Sequence, residues 1–183
     1  HNKSGRVVSF IPGISLFPGD RHAFVQYIDG GTGKSGYTRY PLDQFKWSRD
    51  SFDVTIGPNR FSRTGCEIDI KDSGGRSGPN KKNTVSGRLV YRDPVPFPSK
   101  PNAPGIMGWY SFVPFMECNH DVVSITHRVK GEIRIDGEDI SFQDDKGYIE
   151  KDWGASFPKA WLWLQCNNFS EADTSLMVSV ARI

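Results

Sequence analysis

Two carboxylates at alternate positions in the carboxyl-terminal third of the chain have the spacing needed for acid–base chemistry. They lie in the segment GYIEKDWGASFPKAWLWLQCNNF, residues 147–169. If residues 148–153 form a β-strand, its two-residue side-chain period places Tyr148, Glu150 and Asp152 on one face, with adjacent carboxylates about 6–7 Å apart. In a dry, aromatic-lined cavity, burial would raise the pKa of such acids and keep a proton available near neutral pH. On an exposed face, the same acids would pair with nearby lysines or arginines.

The strand that follows is predicted to be apolar on both faces. One face of residues 160–167 carries Trp161, Trp163 and Gln165, and the other carries Leu162, Leu164 and Cys166. A strand of this kind needs cover on both sides. The pattern therefore predicts a core on one side and a cavity or a second layer on the other.

A second aromatic segment precedes the first along the chain and also contains an acid. Residues 105–120, GIMGWYSFVPFMECNH, contain Glu117 at the same strand parity as Phe115 and Asn119. A single carboxylate in so apolar a run is either paired with a cation or functional. The sequence leaves both interpretations open.

Metal, nucleotide and disulfide chemistry find no support in the residue spacings. The three cysteines are widely separated, which favours buried free thiols over a disulfide framework. Cys118, His120 and His127 do not have a spacing that is diagnostic of zinc. The glycine-rich segment at residues 30–36 lacks the first glycine of a phosphate-binding loop and is not followed by a helical pattern. We therefore predict neither a metal nor a cofactor.

The elements that must position these residues are predicted to be strands. Short alternating or apolar runs are separated by turn residues, and no stretch longer than about ten residues keeps a helical period. Hairpin signals link the later runs into a meander, at Lys130-Gly131, Asp136-Gly137 and Asp145-Lys146-Gly147. The pattern predicts an all-β, antiparallel barrel or sandwich, and the length of 183 residues predicts a single domain over residues 1–183.

Charge and hydropathy exclude several classes of partner. The formal net charge of +2 is too small for a surface that binds the phosphate backbone, so we predict no nucleic-acid partner. No run reaches the roughly 18–20 apolar residues of a membrane span or resembles a signal peptide, which predicts peripheral membrane contact at most. The sequence does not specify a compartment.

The two aromatic segments together resemble the tocopherol cyclase family. Gly108–Cys118 and Gly147–Phe169 are similar to the two signature stretches of that family, in the expected order and separation. The segment Gly131–Phe142 resembles the hairpin between them. Val7–Leu16 and Pro41–Ile56 are similar to bacterial members in particular.

The resemblance carries expectations about the fold. The family is similar to lipocalin-like carotenoid hydratases and is built from two β-barrel-like domains. The chain is therefore expected to form one lipocalin-like antiparallel β-barrel, a partial member of a two-barrel architecture. A second barrel of the same protein would then be its partner.

The resemblance also implies a reaction, the cofactor-independent cyclisation of a prenylated hydroquinone to a chromanol. A proton adds to the trisubstituted double bond, and the ring hydroxyl captures the tertiary carbocation. Such chemistry requires an acid, an aromatic surface that stabilises the cation, and the exclusion of water.

The roles that follow from the resemblance fall on the residues described above. Asp152 is expected to be the general acid, Glu150 its partner or alternative, and Glu117 a third candidate. The residues expected to line the substrate cavity are Trp109, Tyr110, Tyr148, Trp153, Trp161, Trp163 and Gln165.

Two non-catalytic interpretations remain open at this point. A lipocalin-like carrier would hold a prenyl quinol or another hydrophobic small molecule unchanged, and it needs aromatic residues but no inward-facing acid. The orientation of Glu150 and Asp152 separates this carrier from an enzyme. A carbohydrate-binding sandwich would require Trp161 and Trp163 to form an exposed platform, and their apolar alternate neighbours argue against it.

Overall fold

The computed structural model describes residues 5–71, 84–171 and 174–182, which contain β-strands and two 3₁₀ turns but no α-helix. The 3₁₀ turns span Leu42–Gln44 and Gly108–Phe112. The strands are β1 Val8–Ser15, β2 His22–Asp29, β3 Lys34–Tyr40, β4 Phe45–Trp47, β5 Asp53–Ile56, β6 Asn59–Ser62, β7 Gly65–Ile70, β8 Val85–Val95, β9 Cys118–Ile135, β10 Glu138–Gly154, β11 Ala160–Cys166 and β12 Leu176–Arg182.

These strands form three sheets. The orders are β1-β2-β3, then β10-β9-β8-β7-β6-β5-β4, then β11-β12. Consecutive strands pair antiparallel in each sheet for which a register is defined. The predicted all-β, antiparallel class is confirmed. In the part of the chain that the structure describes, however, the sheets remain separate and do not close into the expected barrel.

The chain divides into two compact units. Unit 1 comprises His1–Arg92 and Val129–Asp145, and unit 2 comprises Asp93–Arg128 and Lys146–Ile183. Strands β8, β9 and β10 contribute residues to both units. The single domain expected from the chain length therefore stays a prediction.

Unit 1 contains the main hydrophobic core. Alternate side chains of its strands are buried, as expected for strands with one face on a core. The fully buried residues include Val25, Tyr27, Ile56, Ile70, Val85 and Ile133. This pattern follows directly from the period-two hydrophobicity of the sequence.

Of the three hairpin signals, only Asp136-Gly137 forms a turn between strands, with both residues at positive φ. The predicted hairpin at Lys130-Gly131 is wrong, because Gly131 lies inside β9. A Cβ at Gly131 would overlap the backbone carbonyl of Arg88 on β8, so this glycine permits a close strand approach and not a turn.

The predicted hairpin at residues 145–147 is also wrong, since these residues continue β10. Asp144 has a φ of 63°, and the Asp145 carboxylate accepts the backbone N–H of Gln143 at 2.6 Å. Such a local irregularity within a strand is typical of a β-bulge. Polar turn residues therefore mark a bulge in a continuous strand.

Unit 2 exposes much of its apolar surface. The expected cover on both faces of β11 is not observed in the described residues, where Trp161, Leu162, Trp163 and Leu164 are 41–61% exposed. Strand β11 pairs with β12 alone in a two-stranded sheet. Among the described residues, no helix is long and apolar enough to cross a membrane.

Asn59 offers a test of the core of unit 1. Its side chain is fully buried, donates to Tyr40 Oη at 2.9 Å and to Ile56 O at 3.0 Å, and accepts from the backbone N–H of Asp69 at 2.9 Å. Asn59→Ala should lower the free energy of unfolding by about 2–4 kcal/mol, because three buried or partly buried polar groups lose their hydrogen-bond partner. Chemical denaturation measures this change. Arg60→Ala, an exposed neighbour, should have a far smaller effect, and equal effects would contradict the assignment.

Candidate functional site

The candidate site is built on β10, in the part of that strand that belongs to unit 2. Its alternating side chains place Tyr148, Glu150 and Asp152 on one face, as the sequence predicts. The hydrogen bond from Tyr148 Oη to Glu150 Oε2, 2.9 Å long, confirms that these two side chains lie together. The side chains of Glu150 and Asp152 are 24% and 36% exposed. Both acids are thus partly buried and still accessible.

An imidazole from the neighbouring strand β9 lies between the two acids. His120 Nδ1 is 2.7 Å from Asp152 Oδ1, which makes a short hydrogen bond. Its Nε2 is 3.5 Å from Glu150 Oε2. The backbone N–H of His120 donates to Met107 Sδ at 3.1 Å. His120, Asp152 and Glu150 therefore form a carboxylate–imidazole–carboxylate cluster within unit 2.

The electrostatics of the cluster favour the protonated imidazole. The hydrogen bond to Asp152 raises the pKa of His120 above its ordinary value, and burial only partly opposes it. When Glu150 is ionised, its charge also raises the pKa of His120. The imidazolium form can donate a proton from both ring nitrogens at once.

Glu150 has an environment that favours its protonated form. Burial raises the pKa of this carboxyl, while hydrogen bonds from Tyr148 and Trp163 and the charge of His120 partly offset the rise. Trp163 Nε1 donates to Glu150 Oε2 at 3.2 Å. The pKa of Tyr148 is also raised, mainly by burial, so its phenol remains a donor. The two donors and the imidazole would stabilise the carboxylate once Glu150 had released its proton.

This arrangement is suited to proton transfer. It combines a carboxyl whose pKa burial raises, donors that stabilise its conjugate base, and a second carboxylate that holds an imidazole. Across residues 5–71, 84–171 and 174–182, no group of three or more His, Cys, Asp or Glu side chains has an arrangement that could hold a metal ion.

Comparison with known proteins identifies a family whose model matches the segment that contains the cluster. The family model described as "Tocopherol cyclase-like" matches residues 69–182, which is more than half of the chain and includes every member of the cluster. The chain belongs to the tocopherol cyclase-like family. The resemblance seen in the two aromatic segments is thereby confirmed at the level of the family.

Individual tocopherol cyclases are similar to this chain over a shorter stretch. The chain is 38% identical over 74 residues to a probable chloroplastic tocopherol cyclase from Oryza sativa subsp. japonica. It is 35% identical over 74 residues to a chloroplastic tocopherol cyclase from Zea mays. Each alignment covers 40% of this chain and 16% of the relative. No solved structure matches the chain.

The structure brings four of the expected site residues of this tocopherol cyclase-like chain together. Glu150, Asp152, Tyr148 and Trp163 all belong to the cluster or contact it directly. Gln165 follows Trp163 at the same strand parity on β11. Its side-chain nitrogen is buried and has no hydrogen-bond partner in the described part of the chain. The side-chain nitrogen of Gln165 is thus a buried hydrogen-bond donor that has no partner among the described residues of unit 2.

The contacts observed among the described residues do not join the other expected residues to the cluster. Trp109 and Tyr110 stack on each other at 4.0 Å between ring centroids. Trp153 lies beneath the ammonium of Lys151, at 5.0 Å. Two expected site residues remain. The ring centroid of Trp161 lies 5.8 Å from that of Phe157, and Glu117 is exposed. Their roles stay predictions.

His120 is the member of the cluster that sequence reasoning misses. Strand β9 begins at Cys118 and therefore includes His120. The spacing of Cys118 and His120 suggests only a weak metal motif. The signal that could identify His120 is its alternation with Cys118 and Val122 on a strand paired with the strand of the acids.

The two described histidines of unit 2 should titrate on opposite sides of the ordinary histidine pKa. The pKa of His120 is raised by Asp152, whereas burial lowers the pKa of His127 to about 4. NMR titration of the imidazole signals measures both. In Asp152→Asn, the pKa of His120 should fall and that of His127 should stay unchanged. An unchanged His120 pKa would contradict the pairing.

The hydrogen-bonded pair of His120 and Asp152 predicts how the free energy of unfolding depends on pH. Because the pKa of His120 is higher in the folded state than in the unfolded chain, its stabilisation is complete below the unfolded value, about 6.5. It is lost as the pH rises through the folded value. Denaturation of the wild-type protein and Asp152→Asn across this range should converge at high pH. A difference that grows with pH would contradict this sign.

Proposed function

We propose that this chain catalyses a tocopherol cyclase-like reaction, the cyclisation of a prenylated hydroquinone to a chromanol, started by a proton from Glu150. The observation that carries the proposal is the carboxylate–imidazole–carboxylate cluster of His120, Asp152 and Glu150. It lies within the segment that matches the family model. The names of the rice and maize relatives support the class of substrate.

The environment of Glu150 supports it as the proton donor ahead of Asp152. Burial favours the protonated form of Glu150, and two hydrogen-bond donors await the carboxylate that it becomes. An acid of this kind holds its proton at rest and releases it when the double bond arrives. Asp152 is occupied by its 2.7 Å hydrogen bond to His120 and is more exposed. In this proposal Asp152 orients the imidazole.

The second half of the reaction requires the loss of a proton from the phenol. When the ring hydroxyl captures the carbocation, its O–H bond breaks as the new C–O bond forms. The Glu150 carboxylate left by the first step can receive this proton, which restores the acid, while the imidazolium of His120, with Nε2 3.5 Å from Glu150 Oε2 and Nδ1 held by Asp152, offsets the negative charge in between. One proton enters at carbon and one leaves oxygen, so substrate and product are isomers. The reaction therefore needs no redox partner.

An aromatic ring beside the acid supports the carbocation step. Because Trp163 donates its indole N–H to Glu150, its ring lies next to the carboxyl that protonates the alkene. Cation–π contact with an indole is worth about 0.5–2 kcal/mol, depending on how dry the site is. Trp163 can therefore stabilise both the carboxylate and the cation that one proton transfer creates.

Glu150→Gln should lower the rate of cyclisation by about 10²–10⁴-fold, because a carboxamide cannot donate the proton. The assay uses the full protein and an anaerobic geranylgeranylated hydroquinone in heavy water. Reversed-phase chromatography with electrochemical detection separates the chromanol from its isomeric substrate. Wild-type product should carry one deuteron bound to carbon, at the less substituted end of the former double bond.

Glu132→Gln is the matched control for this experiment, since Glu132 is an exposed residue of β9 in unit 1. It should leave the rate unchanged. Full activity in Glu150→Gln would remove Glu150 from the mechanism. Loss of activity only in Asp152→Asn or Glu117→Gln would transfer the acid role to that residue. Substrate that binds and is returned without deuterium would contradict the enzyme and favour a carrier.

The rate should fall as the pH rises through the raised pKa of Glu150, because the reaction needs the protonated carboxyl. Tyr148→Phe removes a hydrogen bond that lowers this pKa. The descending limb of the pH–rate profile should therefore move to higher pH in Tyr148→Phe, with a lower maximal rate. A shift to lower pH would contradict the assignment of Glu150 as the acid.

A further inference from the structure

The hydrogen bond between Trp163 and Glu150 needs support from elsewhere in unit 2. Trp163 is on β11 and Glu150 is on β10, and these strands belong to different sheets. Trp163 is 42% exposed, and the neighbouring apolar residues of β11 are 41–61% exposed. Packing around β11 is therefore too sparse to fix the indole by itself.

A buried amide follows the end of β11 and binds the backbone of β10. Asn167 is 3% exposed, and its Nδ2 donates to the carbonyl oxygen of Gly147 at 2.8 Å. Gly147 immediately precedes Tyr148, which is the first of the three residues that share one face of β10 with Glu150 and Asp152. Because a buried amide is costly without partners, this bond strongly favours one arrangement of the two segments.

A lysine reinforces the same junction from the other direction. Lys146 Nζ donates to the carbonyl oxygen of Asn167 at 3.0 Å and to that of Phe169 at 3.1 Å. Lys146 and Gly147 are adjacent on β10, so the backbones of the two segments are joined by three hydrogen bonds. We call Lys146, Gly147, Asn167 and Phe169 the strand junction.

We propose that Asn167 is a positioning residue that, through the strand junction, holds the indole N–H of Trp163 on Glu150. Asn167 follows Trp163 by four positions along the chain, and Glu150 follows Gly147 by three. Fixing both chain segments at one end limits how far the donor can move from the acceptor at the other. The consequence for catalysis rests on the proposed function, whereas the geometric role does not.

The indole N–H signals of the protein test this role without any substrate. The chain has five tryptophans, and the signal missing from Trp163→Phe identifies Trp163. In wild-type protein, the ¹H–¹⁵N shift of this signal should follow the titration of Glu150, and that dependence should vanish in Glu150→Gln. In Asn167→Ala, it should move toward the position of a solvated indole and lose its dependence on Glu150. Asn168→Ala, an exposed neighbour, should leave it unchanged.

A turnover measurement separates positioning from general destabilisation. If the proposed function is correct, Asn167→Ala and Trp163→Phe should shift the pH–rate profile in the same direction, and the double variant should add nothing to the shift. Absence of turnover in the wild-type protein would refute the proposed function, while the NMR result would still decide the role of Asn167.

Lys146→Met keeps the proposal testable if Asn167→Ala does not fold. This variant retains the aliphatic stem and removes the two ammonium hydrogen bonds of the strand junction. It should displace the Trp163 signal in the same direction as Asn167→Ala. A Trp163 signal that still follows Glu150 as in wild type, in a folded variant of either residue, would overturn the proposal.

Discussion

The partly buried carboxyl of Glu150 is the constraint on which the candidate site depends. Burial raises its pKa, and the surrounding groups determine what happens when it ionises. Tyr148 and Trp163 donate hydrogen bonds to the same oxygen, while His120 lies 3.5 Å from it. Without burial, the pKa of the Glu150 carboxyl would be that of an ordinary exposed acid. Without the two donors, the carboxylate would lose the hydrogen bonds that stabilise its charge. Both features are needed for a group that stores a proton and then releases it.

The strands of unit 2 supply this environment through simple geometry. The two-residue period of β10 places Tyr148, Glu150 and Asp152 on one face, and the pairing of β9 with β10 brings in His120. Trp163 lies on β11, which belongs to a separate two-stranded sheet. The site therefore combines residues from two sheets, and its precision depends on local hydrogen bonds because the apolar packing around β11 is sparse.

Periodicity was sufficient to predict the class of fold and the shared face of the acids, because both depend on local strand geometry. It failed at Gly131 and at residues 145–147, where turn-like residues serve a close strand approach and a bulge inside long strands. These errors came from tertiary context, which overrides local turn preference. His120 was missed for a similar reason, since its role is created by strand pairing. The exposure of β11 could not be predicted either, because hydrophobic pattern alone does not specify what covers a face.

In the proposed mechanism, Glu150 keeps its proton at a pH at which an ordinary glutamate has lost it. Infrared difference spectroscopy on protein labelled with ¹³C-glutamate, comparing wild type with Glu150→Gln across pH, observes this proton directly. We expect the difference spectrum to contain a protonated carboxyl band that persists above the ordinary glutamate range, about pH 4.3, and disappears at higher pH. A band that is lost within the ordinary range would contradict Glu150 as a stored proton and, with it, the proposed mechanism.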